Sequence, residues 1–346
     1  MNRTIDWDGE AIVAIDQTLL PSEERRLRLA DVSTLAEAIR SLRIRGAPAL
    51  GVAGALGIAL AVRQAQERGI DVQAAADEAA AVLAATRPTA VNLRWGIDQA
   101  RHALAAGPDA VVARAVALLE ADAQTNRKIA ERGADWLDAV RAAQRRQLRI
   151  LTHCNTGALA CVELGTALGV IQVAHARGAV ECVLATETRP LLQGARLTAW
   201  ELQRLGIPFR LVADAAAPSL IARGIVDVAV VGADRIAANG DVANKVGTYP
   251  LALAARRARV PFVVVAPEST LDHQTVSGRD IPIEERPEEE VLGFGSLRVA
   301  PPGARALNPA FDVTPAELIS AIITEARVIA PAVSAQGTVG PSSVHG

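Results

Sequence analysis

From residue 148 onward, short apolar runs alternate with longer stretches of helical periodicity. The runs are 148–153 (LRILTH), 179–185 (AVECVLA), 209–212, 226–231 and 261–266, of which 226–231 is rich in β-branched residues. Such runs predict strands buried on both faces. The intervening stretches 158–176, 192–205, 218–223 and 246–257 predict helices. Strands alternating with helices imply parallel βαβ units, an α/β fold with a doubly wound, Rossmann-like sheet. A last helix is expected over 310–329, opening near Thr314 and Pro315 with Glu317 in its first turn.

The first 146 residues follow another rhythm. Residues 1–20 predict a hairpin. Leu35, Ile39 and Leu42 recur at helical spacing, and 71–85, 92–106 and 108–137 continue as helices, the last of them open to a break. The expected organisation is an N-terminal mainly helical domain with a small β element (1–146), a Rossmann-like catalytic domain (147–330) and a disordered tail (331–346) of Gly, Ser, Pro and Val. The uncharged run 46–62 is shorter than the roughly 20 residues of a membrane-spanning helix. Its glycines at 51, 54 and 57 predict close helix packing and do not match the GxGxxG dinucleotide pattern.

Candidate chemistry concentrates in 226–250, VDVAVVGADRIAANGDVANKVGTYP. A buried strand ends at Gly232-Ala233-Asp234, the turn Asn239-Gly240-Asp241 follows, and Asn244-Lys245 lead into the predicted helix. In open parallel sheets, ligands bind beyond the carboxyl ends of the strands, at the switch point of the strand order. In the order 3-2-1-4-5-6, the first and fourth strands are neighbours there. They end at Cys154 and Asp234, so a thiol and a carboxylate are expected to face one crevice.

Each candidate has a plain alternative. Asp234 is a general acid or base if burial raises its pKa, or else a turn cap. Cys154 is a thiolate favoured by a following helix N-terminus, or else an inert buried thiol; Cys161 and Cys182 are expected in the core. Arg45-Gly46-Ala47 and Arg87 precede expected helix starts and suit a phosphate, or are surface arginines. Gln193 binds a sugar hydroxyl or caps a helix. The chain has 36 Lys plus Arg, of which only Lys128 and Lys245 are lysines. That makes Lys245, beside Asn244, a candidate phosphate cation rather than a solvated helix-start lysine. Glu285, Glu289 and Glu290 are expected in solvent. His153, Cys154, Cys161 and His175 lack zinc-site spacing.

Composition narrows the classes. Net charge is −2 and aromatics make up 3%, which excludes the electrostatic and stacking footprint of a nucleic-acid binder. Hydrophobic residues at 50% and a mean hydropathy of +0.22 supply ample core. Three irregularly spaced cysteines make no disulfide framework, and the acidic, polar N-terminus has no secretory pattern. A reducing cytoplasm is the expected setting.

Several longer motifs give a resemblance. IDQTLLP (15–21), IRGAPA (44–49), RPTAVN (87–92), THCNTG (152–157), ETRPLLQGARLTAWEL (187–202), VGADRIAANGDVANKVGTYPLA (231–252) and IPIEER (281–286) resemble the methylthioribose-1-phosphate isomerase family over nearly the whole chain. The resemblance implies an aldose–ketose isomerase of methionine salvage acting on a sugar phosphate. It implies Asp234 as proton donor and Cys154 as partner acid/base. Arg45, Gly46, Ala47, Arg87, Gln193, Asn244 and Lys245 would bind substrate. It further implies a homodimer without metal or nucleotide cofactor. Two positions depart from the expected pattern: Thr186 stands before Glu187, and an alanine run follows Asp214. Related isomerases acting on ribose 1,5-bisphosphate or a 5-deoxypentose phosphate, and non-catalytic translation-initiation exchange-factor subunits, are the competing readings.

Overall fold

The computed structural model describes residues 3–331 apart from Ser296. The expected tail, from 332 on, lies outside the described residues. The chain opens with a three-stranded antiparallel sheet, β1 (Ile5–Trp7), β2 (Ile12–Ile15) and β3 (Arg26–Leu29), one strand more than the expected hairpin. Five helices follow: α1 (Val32–Arg40), α2 (Ala47–Arg68), α3 (Val72–Ala84), α4 (Val91–Ala103) and α5 (Pro108–Gln144). Helix α5 is continuous over 37 residues.

Helix α2 is long and apolar enough to cross a membrane, yet it sits inside the protein, buried from Ala49 to Val62. Its glycines explain the fit. A methyl on Gly57 would press on Leu35 and Leu83, and one on Gly54 would meet the Leu93 carbonyl at 2.9 Å. From the other side, a methyl on Gly96 of α4 would overlap the Gly51 carbonyl. Without these side chains the helix backbones approach closely and bury an alanine-rich surface at high density.

The larger sheet runs β16-β15-β10-β7-β4-β5-β6. Its strands are β4 (Leu148–Thr152), β5 (Val180–Thr186), β6 (Phe209–Val212), β7 (Val228–Val231), β10 (Phe262–Val265), β15 (Ala321–Ile323) and β16 (Val328–Ile329). All neighbours pair in parallel except β15 with β16. Counted by position among the seven strands, the order is 3-2-1-4-5-6-7, so the switch point falls between β4 and β7, as the pattern predicts. Helices α6 (Ala167–Ala176), α7 (Ala199–Arg204), α8 (Ala217–Ala222) and α9 (Thr248–Ala258) connect the strands. Two apolar clusters cover the two faces of this sheet.

A second sheet, β11-β8-β9-β14, was not foreseen: β8 (Arg235–Ala237), β9 (Val242–Lys245), β11 (Leu271–Asp272) and β14 (Phe311–Thr314). It corrects two expectations. Residues 310–329 form strands and a 3-10 turn rather than a helix; Val313, Thr314, Ile322 and Ile323 are β-branched and pair with β9 and β10. Asn244 and Lys245 end strand β9 rather than opening a helix, because β9 is sandwiched between β8 and β14 and buried throughout. Helix α6 begins at Ala167, after a 3-10 turn at Ala158–Ala160, so the expected helix from 158 is shorter.

Candidate active site

Strand β4 delivers its last residues to the switch point through buried side chains. His153 bridges two neighbours, its Nδ1 2.7 Å from Thr186 Oγ1 and its Nε2 2.9 Å from the Val246 carbonyl. Cys154 follows at φ +63°, the left-handed region that a β-carbon disfavours. Two bonds hold it there: its amide donates to Thr188 Oγ1 at 2.9 Å, and Thr198 Oγ1 donates to its carbonyl at 2.6 Å. Thr188 is braced in turn by Asp214, which accepts the Thr188 and Arg189 amides at 2.8 and 2.6 Å. Loops after three successive strands thus lock the cysteine backbone.

Strand β7 delivers Asp234. Its amide donates to the Ala243 carbonyl at 2.9 Å, tying the acid to β9. Its carboxyl has no hydrogen-bond partner among the described residues, unlike that of Asp214. Burial pushes its pKa up, against the pull of Lys245, Arg87 and Arg45. Burial also pushes the Cys154 thiol up, with Arg45 and Lys245 opposing. The expected support for a thiolate is missing: a 3-10 turn at Ala158–Ala160 rather than a helix N-terminus follows Cys154, and burial works against ionisation.

Lys245 is 8% exposed, donates to the Ala310 carbonyl at 2.8 Å and stands 4.9 Å from the Phe311 ring centroid. Burial lowers its pKa, while Cys154 and Asp234 raise it. Asn244 donates through Nδ2 to Thr248 Oγ1 at 2.9 Å. Gly46, at φ +98°, precedes α2, whose N-terminus has no side-chain cap and leaves backbone N–H groups free. Arg87 donates to Glu284 at 2.8 Å. Gln193 is 6% exposed, and its Oε1 has no partner among the described residues.

One cavity, open to solvent, is lined by Arg45, Gly46, Ala47, Arg87, Cys154, Gln193, Asp234, Asn244 and Lys245 together. These are the nine residues singled out in the sequence. Four cationic side chains in the lining, those of Arg45, Arg87, Lys245 and Arg286, face one acid, Asp234. Arg87 and Arg286 are paired with Glu284 and Glu290, whereas Arg45 and Lys245 have no carboxylate partner among the described residues and suit an incoming phosphate. Among the described residues no cluster of His, Cys, Asp or Glu is placed to hold a metal ion.

Several wall residues were not among the nine. Asn155, Arg286, Phe311 and Cys161 line the same cavity. Asn155 and Arg286 lie within THCNTG and IPIEER, so the motifs signalled them, whereas Phe311 comes from the unforeseen β14. Cys161, expected in a helix core, is buried but borders the cavity after a 3-10 turn. Two of the glutamates expected in solvent are engaged: Glu290 pairs with Arg286, and Glu285 accepts the Asn308 amide.

The description "Initiation factor 2 subunit family" matches residues 43–331. A methylthioribose-1-phosphate isomerase from Alkalilimnicola ehrlichii is 50% identical, with 94% of each chain covered. The chain belongs to the methylthioribose-1-phosphate isomerase family, within the wider initiation factor 2 subunit family. It is 52% identical over 96% of its length to a probable bifunctional methylthioribose-1-phosphate isomerase/methylthioribulose-1-phosphate dehydratase from Nocardia farcinica, and spans 60% of that longer protein. Among solved structures, 5-methylthioribose 1-phosphate isomerase from Pyrococcus horikoshii superposes with a TM-score of 0.86 at 40% identity, covering 96% of this chain and 93% of that one. A translation initiation factor eIF-2B delta subunit from A. fulgidus gives 0.82 at 42% identity, covering 96% of both.

Proposed function

We propose that the protein is an aldose–ketose isomerase that converts 5-methylthioribose 1-phosphate to 5-methylthioribulose 1-phosphate in methionine salvage. The observation that carries this reading is the convergence of Cys154, Asp234 and the cationic side chains of Arg45 and Lys245 in one cavity.

The chemistry follows from the substrate. Phosphate on the anomeric carbon prevents spontaneous ring opening, so the ring oxygen must be protonated as the C1–O bond breaks. A carboxyl whose pKa burial pushes up is suited to that step, and we assign it to Asp234. Hydrogen then moves from C2 to C1 while the C2 hydroxyl gives up its proton, leaving the ketone. Cys154 is assigned as the partner acid/base; its strained backbone favours a functional over a packing role. The Arg45-Gly46-Ala47 turn, Arg87, Asn244 and Lys245 are assigned to the phosphate end, and Gln193, with its unpaired acceptor, to a sugar hydroxyl. The working form is proposed to be a cytoplasmic homodimer, which sedimentation of the purified protein checks.

The competing reading, a non-catalytic exchange-factor subunit, draws on the likeness to the A. fulgidus protein. One experiment separates them. Wild-type protein incubated with 5-methylthioribose 1-phosphate is expected to form the ketose, and Cys154→Ser and Asp234→Asn to lose nearly all turnover while staying folded. No turnover by folded wild type would sink the isomerase reading. Deuterium from solvent appearing at C1 of the product would support transfer as a proton; its complete absence would count against that route.

A further inference from the structure

Behind Arg45 lies a second layer of buried polar groups. Arg45 Nη1 donates to Asn155 Oδ1 at 2.8 Å, and Nη2 donates to the Asn155 carbonyl at 2.9 Å. Asn155 Nδ2 then donates to Glu201 Oε2 at 2.6 Å. Glu201 Oε1 accepts the Leu159 amide at 3.1 Å. Asn155 and Glu201 are 3% and 1% exposed. Gly157 lies so close that a methyl there would overlap the Glu201 carboxyl. Glu201 itself does not line the cavity, whereas Arg45 and Asn155 do.

A buried carboxyl is costly unless its bonds are worth more than an apolar replacement. Anchoring the Leu159 amide accounts for one oxygen only. The other is aimed at Asn155, and its effect follows from donor and acceptor types. A guanidinium only donates, and the Glu201 carboxyl, although burial pushes its pKa up to about 7, accepts through both oxygens from the Asn155 and Leu159 N–H groups. An asparagine placed between them has one allowed orientation, oxygen toward Arg45 and nitrogen toward Glu201. We infer that Glu201 is a positioning residue for the isomerase reaction, acting through Asn155 to hold the Arg45 guanidinium at the phosphate end of the cavity. The inference rests on the isomerase reading and adds a residue that touches no substrate.

The test exploits the polarity of the chain. In Glu201→Gln, the new side chain has one acceptor and one donor. If its oxygen keeps the Leu159 amide, its nitrogen faces Asn155, which must then turn a nitrogen toward Arg45. Because Arg45 would grip phosphate alike in substrate and transition state, KM should rise about tenfold or more while kcat stays within about threefold. Asn155→Asp should raise KM as well, since two carboxyls then face each other. The double variant Asn155→Asp with Glu201→Gln restores the donor–acceptor alternation and should bring KM back to within about threefold of wild type. Additive damage in the double variant, or a lowered kcat at unchanged KM in Glu201→Gln, would reduce Glu201 to a packing role and overturn the inference. Calorimetric titration with inorganic phosphate gives a readout independent of turnover. Phosphate affinity that falls in Glu201→Gln and recovers in the double variant supports the relay even if wild type fails to turn over, an outcome that would sink the isomerase reading alone.

Discussion

Lys245 and Phe311 face each other across the β9–β14 pair, the ammonium 4.9 Å from the ring centroid, with the Ala310 carbonyl as its one hydrogen-bond acceptor. No carboxylate forms a salt bridge with this buried lysine among the described residues. An ammonium held by a ring face and a carbonyl is incompletely compensated, and an incoming phosphate would complete it. Lys245→Met is therefore expected to melt within a few degrees of wild type, or higher, while kcat/KM falls by about 10² to 10³, the range for one charged contact to a reacting group. Thermal melts and steady-state kinetics on the same preparation check both halves. A variant that unfolds while its folded fraction keeps full activity would make Lys245 a structural residue.

The raised pKa of Asp234 sets the sign of the pH dependence. Burial holds the carboxyl protonated above its usual range, so the acid form needed at the ring oxygen is present at low pH and is lost as pH rises through the folded pKa. The Cys154 thiol, also raised, stays neutral across the same interval. Plots of kcat/KM against pH should show an alkaline limb in wild type that disappears from the residual rate of Asp234→Asn. A limb retained unchanged in that variant would assign it to another group.

Much of this site was legible in the sequence, for identifiable reasons. Apolar runs announced β4, β5, β7 and β10, alternation with helices implied a parallel sheet, and the strand order that brings Cys154 to Asp234 is the common doubly wound order. The second sheet was hidden. Strand β9 is four residues buried on both faces, so it shows no alternation, and its partner β14 lies 66 residues beyond it in sequence (311 against 245). Local pattern therefore extended α9 back over Val246 and missed Phe311. The environment of Cys154 was equally out of reach. Its positive φ depends on hydroxyls from Thr188 and Thr198, contributed by other segments.

Gly46 tests the geometry of the phosphate end. It holds φ +98°, and a β-carbon there would come 2.6 Å from the Ala160 carbonyl oxygen. An alanine would face both an unfavourable backbone region and a backbone collision, a strain of about 1–3 kcal/mol for the dihedral alone. Gly46→Ala is expected to lower the urea midpoint and to weaken phosphate binding at least tenfold by moving the start of α2. Unchanged affinity in a destabilised but folded variant would separate the turn from the ligand.

Arg87 and Glu284 allow stability to be separated from binding. Arg87 Nη2 and Nε donate to Glu284 Oε2 at 2.8 and 3.2 Å, and Arg286 donates to the other oxygen at 3.1 Å. Glu284 is thus shared by two arginines, both in the cavity wall, while Glu284 is the only carboxylate paired with Arg87 among the described residues. Removing Arg87 leaves Glu284 still paired. Removing the charge of Glu284 leaves Arg87 without a counterion and weakens the hold on Arg286, which keeps Glu290. Glu284→Gln should therefore cost more stability than Arg87→Gln, about 1–2 kcal/mol against less than about 1, because these groups are only partly buried. The order should reverse in kinetics. Arg87→Gln is expected to lose about a hundredfold in kcat/KM, as for a charged contact to phosphate, and Glu284→Gln less than tenfold. Urea denaturation and steady-state rates on the two variants give four numbers that must cross in this way; parallel losses in both would mean that Arg87 serves the fold and not the ligand.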